Sequence, residues 1–282
     1  MREVIDKARV LVEALPYIKE FRGRTMVVKI GGVAQDDLEL RRRFAEDVVL
    51  LSWVGVNVVV VHGGGKQVSS VLDRLGIAPR FEGGLRVTDR PTLEVVEMVL
   101  GGSLNKELVR LVNQLGGRGI GITGVDGGLA RARRITRTPD LGLVGEISHI
   151  ERRVIDRLLP EFIPIIAPLA VGEDHQTLNI NADPFAAEVA QALGAEKLVL
   201  LTDVEGVKGA DGQLVPTLTP AEARGLIDAG VVKGGMIPKV ENALAALERG
   251  VRKVHIIDGR IEHALLLEIF TTAGVGTEFV AA

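Results

Sequence analysis

Short apolar runs alternate along this chain with stretches whose apolar residues fall three and four positions apart. The runs cover 25–30, 57–61, 119–123, 163–167, 197–202 and 253–257. They are β-branched and almost without polar alternation, as expected of strands covered on both faces in a parallel sheet. The helical spacing covers 38–54, 67–75, 91–115, 183–193, 220–230 and 239–249. Pro91 and Pro220 stand where a first helical turn tolerates proline. Ahead of the first strand, Ile5, Ala8, Leu11, Val12, Leu15 and Ile18 make an apolar stripe. It predicts a helix broken near Pro16, packed on its own domain or exchanged with another subunit.

Strand–helix alternation over the whole length predicts an α/β fold: an open, mainly parallel sheet sandwiched between helices. No repeat, low-complexity segment or linker divides residues 1–282, so a single domain is expected. Open sheets of this kind bind ligands at the carboxyl ends of their strands. Glycines cluster at those ends here, and glycine makes up 34 of the 282 residues, above the usual roughly 7%.

Composition then removes several functions. With 34 Lys+Arg against 37 Asp+Glu the net charge is −3, and aromatics are only 3%. The chain lacks the basic footprint and stacking platforms of a nucleic-acid binder. No apolar stretch approaches the ~18 residues of a membrane span. The charged first twenty residues hold no signal-peptide core. Without cysteine there is no disulfide, thiolate nucleophile or cysteine-bound zinc. A cytoplasmic protein is the default expectation.

Gly119, Gly121 and Gly124 match the dinucleotide-binding pattern in spacing, but they lie inside a predicted strand instead of opening a helix. Gly65-Lys66-Gln67 fails the P-loop pattern for want of Ser or Thr. His62-Gly63-Gly64-Gly65 is different, because it joins four valines directly to a helix start. Such a turn aims backbone N–H groups and a helix dipole at an anion; a merely generous turn is the alternative. Gly31-Gly32 repeats the device two residues after Lys29, whose ammonium among apolar neighbours needs a partner or ligand. Gly234-Gly235 delivers Lys239 to another helix start. Two lysines at glycine turns suit a transferring phosphoryl group, which must be neutralised from several sides. The segment Asn179-Ile180-Asn181-Ala182-Asp183 precedes an alanine-rich helix that Asp183 alone would cap in the plainer reading.

KIGG (29–32), VHGGG (61–65), GLRVT (84–88), NINAD (179–183), LLTDVEGV (200–207) and GGMIPK (234–239) together resemble the amino-acid kinase family. Of these, GLRVT and NINAD point to its branch that acts on N-acetyl-L-glutamate. The likeness runs from about residue 25 to 277. It implies ATP-dependent phosphorylation of the N-acetyl-L-glutamate side-chain carboxylate, in arginine biosynthesis, with Mg²⁺ carried on the ATP phosphates and no protein metal ligands. It further implies that Lys29 and Lys239 stabilise the transferring group, and that Asp183 orients both lysines. Gly64 and Gly65 with Arg86 and Asn179 would hold the acyl amino acid, Arg86 through a bidentate fork. Gly32, Thr202, Asp203, Gly206, Val207, Gly235 and Met236 would bind the nucleotide. The implied division is an acyl-amino-acid lobe at 23–194 and an ATP lobe at 195–282.

Arginine-sensitive members carry an additional N-terminal helix that links dimers into a hexamer. Residues 1–22 resemble it, and Tyr17 with Lys197, His255, Glu268 and Gly276 resembles an L-arginine effector site. Glu268 would pair with the guanidinium; a solvated helix-face charge is the alternative. Val33 replaces a small residue common in relatives. The arginine-rich segment 131–141 reads as a solvated loop face, with a nucleotide or partner patch as the alternative. The rivals are another kinase of the family, such as one acting on aminoadipate, and a non-catalytic arginine sensor on the same fold.

Overall fold

The computed structural model describes residues 2–271 and 274–281. The chain opens with α1 (Arg2–Phe21), β1 (Thr25–Ile30), α2 (Val33–Asp36), α3 (Leu38–Trp53), β2 (Asn57–His62) and α4 (Gly65–Arg74). A small hairpin, β3 (Phe81–Glu82) and β4 (Leu85–Arg86), leads to α5 (Arg90–Val96), the π-helical stretch Glu97–Leu104 and α6 (Asn105–Gln114). Next come β5 (Gly119–Thr123), β6 (Ala130–Arg134), β7 (Val144–Ile150), α7 (Arg152–Leu158) and β8 (Ile163–Ala167). They are followed by β9 (Leu169–Gly172), β10 (Thr177–Ile180) and α8 (Ala182–Leu193). The remainder is β11 (Lys197–Thr202), β12 (Thr217–Leu218), α9 (Pro220–Asp228), α10 (Met236–Glu248), β13 (Lys253–Asp258), α11 (Ala264–Phe270) and β14 (Gly276–Val280).

The main sheet has the order β12-β14-β13-β11-β1-β2-β8-β5 and is parallel except where β13 meets β14. β1 sits inside it, with Val27 opposite Val59 of β2 and Leu198 of β11. Successive side chains of a strand take opposite faces. Val27, Val59 and Val61 accordingly pack with Phe185, Ala186 and Val189 of α8. Met26, Val28, Val58 and Val60 pack with Phe44 and Val48 of α3 and Leu108 of α6. This is the expected open sheet sandwiched between helices.

Several local expectations change. Pro16 does not break the N-terminal helix, since α1 runs through it. The side chains of Ile5, Ala8, Leu11 and Val33 lie outside the described residues. The helix expected over 91–115 runs unbroken from Arg90 to Gln114, but takes π-helical geometry over Glu97–Leu104, where its glycines Gly101 and Gly102 fall. The first half of the arginine-rich loop is strand β6, which joins β7, β9 and β10 in a small closed barrel. Short strands with polar alternation escaped the search for apolar runs. The glycines of β5 do serve packing: a Cβ at Gly119 would lie 3.1 Å from Val112 of α6. No helix among the described residues is long and apolar enough to cross a membrane.

Candidate active site

The carboxyl ends of β1, β2 and β10 open onto one cavity of about 250 Å³. Lys29, Gly31, Gly32 and Gly63–Gly65 line it together with Arg86, Asn179 and Asn181. β2 ends at His62, and after Gly63 comes Gly64, which caps α4 at φ +154. A Cβ there would also sit 2.5 Å from Leu100 and 2.7 Å from Leu104. Only glycine satisfies both demands. α4 begins at Gly65, two residues earlier than expected, and Gly65 itself lines the cavity.

NINAD divides its labour differently from the plainer reading. Asn181, not Asp183, caps α8, its side chain accepting from the Asp183 N–H at 3.2 Å. Asp183 is thereby released for the lysines. Its Oδ1 lies 2.7 Å from Lys29 Nζ, and its Oδ2 lies 3.9 Å from Lys239 Nζ. Burial pushes this carboxyl up, but the charges of Lys29 and Lys239 outweigh it and hold the group below the usual carboxylate range. α10 begins at Met236, so Lys239 projects from inside the first turn of the helix.

Arg86 is 8% exposed and stacks over Phe81 at 4.6 Å. One terminal nitrogen donates to the Gly65 carbonyl at 2.7 Å and to Ser69 Oγ at 2.9 Å. The other, Nη1, is buried and has no hydrogen-bond partner. An unpaired buried donor at a cavity wall is a strong site for a carboxylate. Asn179 is held by donation from Nδ2 to Thr88 Oγ1 at 3.1 Å.

The expected nucleotide residues lie apart from this cavity's lining. Gly32 is the exception. Asp203 approaches Gly32, where a Cβ would meet it at 3.9 Å. Thr202 is buried, its hydroxyl bonded to Val204, and Val207 donates its N–H to Thr277 Oγ1 at 2.8 Å. Gly206 lies against Leu214 and Thr277, and Gly235 with Met236 begins α10. Among the described residues no cluster of three or more His, Asp or Glu side chains could hold a metal ion.

A second cavity, about 290 Å³, brings together Tyr17, Lys197, His255, Glu268 and Gly276 from α1, β11, β13, α11 and β14. His255 Nδ1 is 2.6 Å from Glu268 Oε1. Burial pulls the imidazole pKa down, so a neutral ring donates to the carboxylate. The Val275 N–H also donates to Glu268, at 2.8 Å. Sequence reasoning missed Glu20, Lys253 and Glu278, which share this cavity and carry no motif.

Glycine turns, paired lysines on one carboxylate and an unpaired arginine nitrogen define a site for a multiply charged anion beside a carboxylate, at the strand ends of a doubly wound sheet. The chain belongs to the amino acid kinase family, whose model matches residues 24–258. It is 50% identical to the acetylglutamate kinase of Aquifex aeolicus (strain VF5), covering 99% of each chain. It is 55% identical to the acetylglutamate kinase of Acinetobacter baylyi, over 97% of this chain and 94% of that one. Among solved structures it is similar to N-acetylglutamate synthase from Neisseria gonorrhoeae, complexed with coenzyme A and N-acetyl-glutamate. There the TM-score is 0.86 at 29% identity, covering 97% of this chain and 63% of that one. The same synthase complexed with coenzyme A and L-arginine gives 0.83 at 28% identity, covering 97% and 65%.

Proposed function

We propose that this chain transfers the γ-phosphoryl group of ATP to the side-chain carboxylate of N-acetyl-L-glutamate, giving an acyl phosphate. The observation that carries the reading is Asp183 holding Lys29 and Lys239, with Lys29 in the same cavity lining as two glycine turns. The acceptor needs no base, since a carboxylate is already ionised at neutral pH. Asp183 is therefore an organiser. Arg86 Nη1 and Asn179 hold the acceptor while Gly64 and Gly65 present N–H groups to the reacting end. Lys29 and Lys239 meet the charge that spreads over the transferring oxygens, so positioning and electrostatics supply the rate. Residues 23–194 form the acyl-amino-acid lobe. Gly32, Thr202, Asp203, Gly206, Val207, Gly235 and Met236 bind the nucleotide, mostly from 195–282. Mg²⁺ travels on the ATP phosphates and neutralises part of their charge. Turnover of ATP with N-acetylglutamate, glutamate and N-acetyl-aminoadipate, measured side by side, tests the assignment. Preference for either of the last two overturns it.

The second cavity favours an added regulatory reading. Its carboxylate Glu268, flanked by Lys197 and His255, suits a free amino acid bearing a guanidinium, and L-arginine as feedback inhibitor fits this chemistry. The relevant likeness is the synthase complexed with L-arginine. α1 exposes Val12 and Leu15 at 68% and 45%. Those side chains suit a helix exchanged between subunits, with dimers joined into a hexamer. Sedimentation at a dimer mass, or activity indifferent to millimolar arginine, overturns this reading.

A further inference from the structure

Gln35, His62 and Asn105 are almost fully buried polar residues, and the chemistry above uses none of them. Their hydrogen bonds converge on one peptide group. The Gly63 carbonyl accepts from Gln35 Nε2 at 2.9 Å and lies 2.9 Å from His62 Nδ1. On the far side of the ring, His62 Nε2 lies 3.2 Å from Asn105 Nδ2, which also donates to the Ile165 carbonyl at 2.8 Å. A carbonyl can only accept and an amide nitrogen can only donate, so the network assigns the imidazole proton to Nδ1. Burial keeps the ring neutral by drawing its pKa down to about 4.

The consequence lies on the other end of that peptide. Among the described residues the cis bond falls at Thr138-Pro139, so Gly63-Gly64 is trans. In a trans peptide the C=O and N–H point in opposite directions. Fixing the Gly63 carbonyl toward Gln35 and His62 therefore aims the Gly64 N–H the other way. Gln35 also belongs to α2, directly after Gly31-Gly32, so its bond ties one glycine turn to the other. Gln67 and Lys66 reinforce the tie from α4, both reaching Asp36, at 2.9 Å and 2.7 Å.

We propose that Gln35 and His62, backed by Asn105, are positioning residues that lock the Gly63-Gly64 peptide and hold the two glycine turns in register as one preorganised cradle for the transferring group. This rests on the reading of Gly64 as a donor to the reacting groups. Donors already fixed in place need no reorganisation during the reaction. Loosening them lowers kcat, whereas the grip of Arg86 and Asn179 on the acceptor leaves KM almost unchanged.

Asparagine places its amide nitrogen near the position of Nδ1, whereas glutamine reaches the position of Nε2, where its carbonyl oxygen accepts from Asn105. His62→Asn thus keeps the donor to Gly63, while His62→Gln keeps only a partner for Asn105. We expect His62→Asn to stay within about fivefold of the parent kcat and His62→Gln to fall by about thirtyfold or more. KM for both substrates should stay within about threefold, and the kcat ranking should not follow the melting temperatures. Gln35→Leu, which removes one donor to the Gly63 carbonyl and leaves the ring of His62 in place, should lower kcat by about tenfold at unchanged KM. It decides the question if the residue-62 variants do not fold. Equal kcat in the asparagine and glutamine variants, losses that track melting temperature, or parental kcat in Gln35→Leu overturns the positioning role. An unsubstituted protein without acetylglutamate turnover overturns the proposed function, and this role with it.

Discussion

Lys29 Nζ and Asp183 Oδ1 meet at 2.7 Å, with both side chains close to nine-tenths buried. Burial alone would raise the carboxyl's pKa, yet the two lysines hold it below the usual carboxylate range. One anion thus holds two cations that would otherwise repel, and in the proposed reaction these cations meet the phosphate oxygens. Asp183→Asn leaves the shape and removes the charge. It should lower kcat by at least ~100-fold, the usual scale for a preorganised electrostatic contact. Lys239→Ala should cost a similar factor. Steady-state turnover checks both, and near-parental kcat in either removes that residue from the chemistry.

Arg86 carries a different expectation. Its Nη2 is committed to Gly65 and Ser69, while Nη1 is buried without a partner. A group that grips the acceptor equally in ground and transition states changes KM more than kcat. Arg86→Ala should raise KM for N-acetylglutamate by about tenfold or more, as loss of a charge-assisted bond of ~1.5–3 kcal/mol implies. Arg86→Lys should recover little, because an ammonium cannot reproduce the planar fork. An unchanged KM for the amino acid excludes Arg86 from the substrate site.

These residues were readable in the sequence because their chemistry is local. A lysine among valines or three glycines between a strand and a helix breaks the pattern around it, and the sheet's apolar runs were equally plain. What escaped notice was held by partners distant in the chain. Nothing near Gln35 marks it as a ligand of Gly63, and Asn105 looks like any polar helix residue until β8 and His62 surround it. The barrel strands alternate polar and apolar residues, so Ala130–Arg134 read as a basic loop. Asn181 and Asp183 both favour a helix start, and only the folded geometry tells which of them caps it.

Glu268 supplies the test of regulation. It accepts from His255 and the Val275 N–H, and these contacts hold its carboxyl below the usual range despite burial. Lys197 lines the same cavity, its own pKa lowered by burial and by Lys253. Glu268→Gln keeps the size and loses the charge that a guanidinium would meet. The arginine concentration for half inhibition should rise by about tenfold or more, in line with a charged hydrogen bond worth ~1.5–3 kcal/mol. An unshifted inhibition curve removes Glu268 from the effector site.

His62 also makes stability depend on pH. Its folded pKa is lowered to about 4 from 6.5, so between those values the unfolded chain binds the extra proton. Stability from this residue is therefore complete above pH 6.5 and is lost as pH falls toward 4. The size is ~3 kcal/mol, taking 1.36 kcal/mol per pKa unit. Asp47 opposes it in part of that window. Burial raises its carboxyl to about 6 despite the bond from His263, so the folded chain holds the extra proton there. Its contribution accordingly falls as pH rises from about 4 to 6. The parent protein should show a shallow slope in melting temperature between pH 7 and 5. His62→Asn should lose its share and be less sensitive to acid than the parent, whereas Asp47→Asn should be more sensitive. Thermal unfolding of the three proteins across that range measures both signs, and parallel curves would show that neither group titrates as its surroundings require.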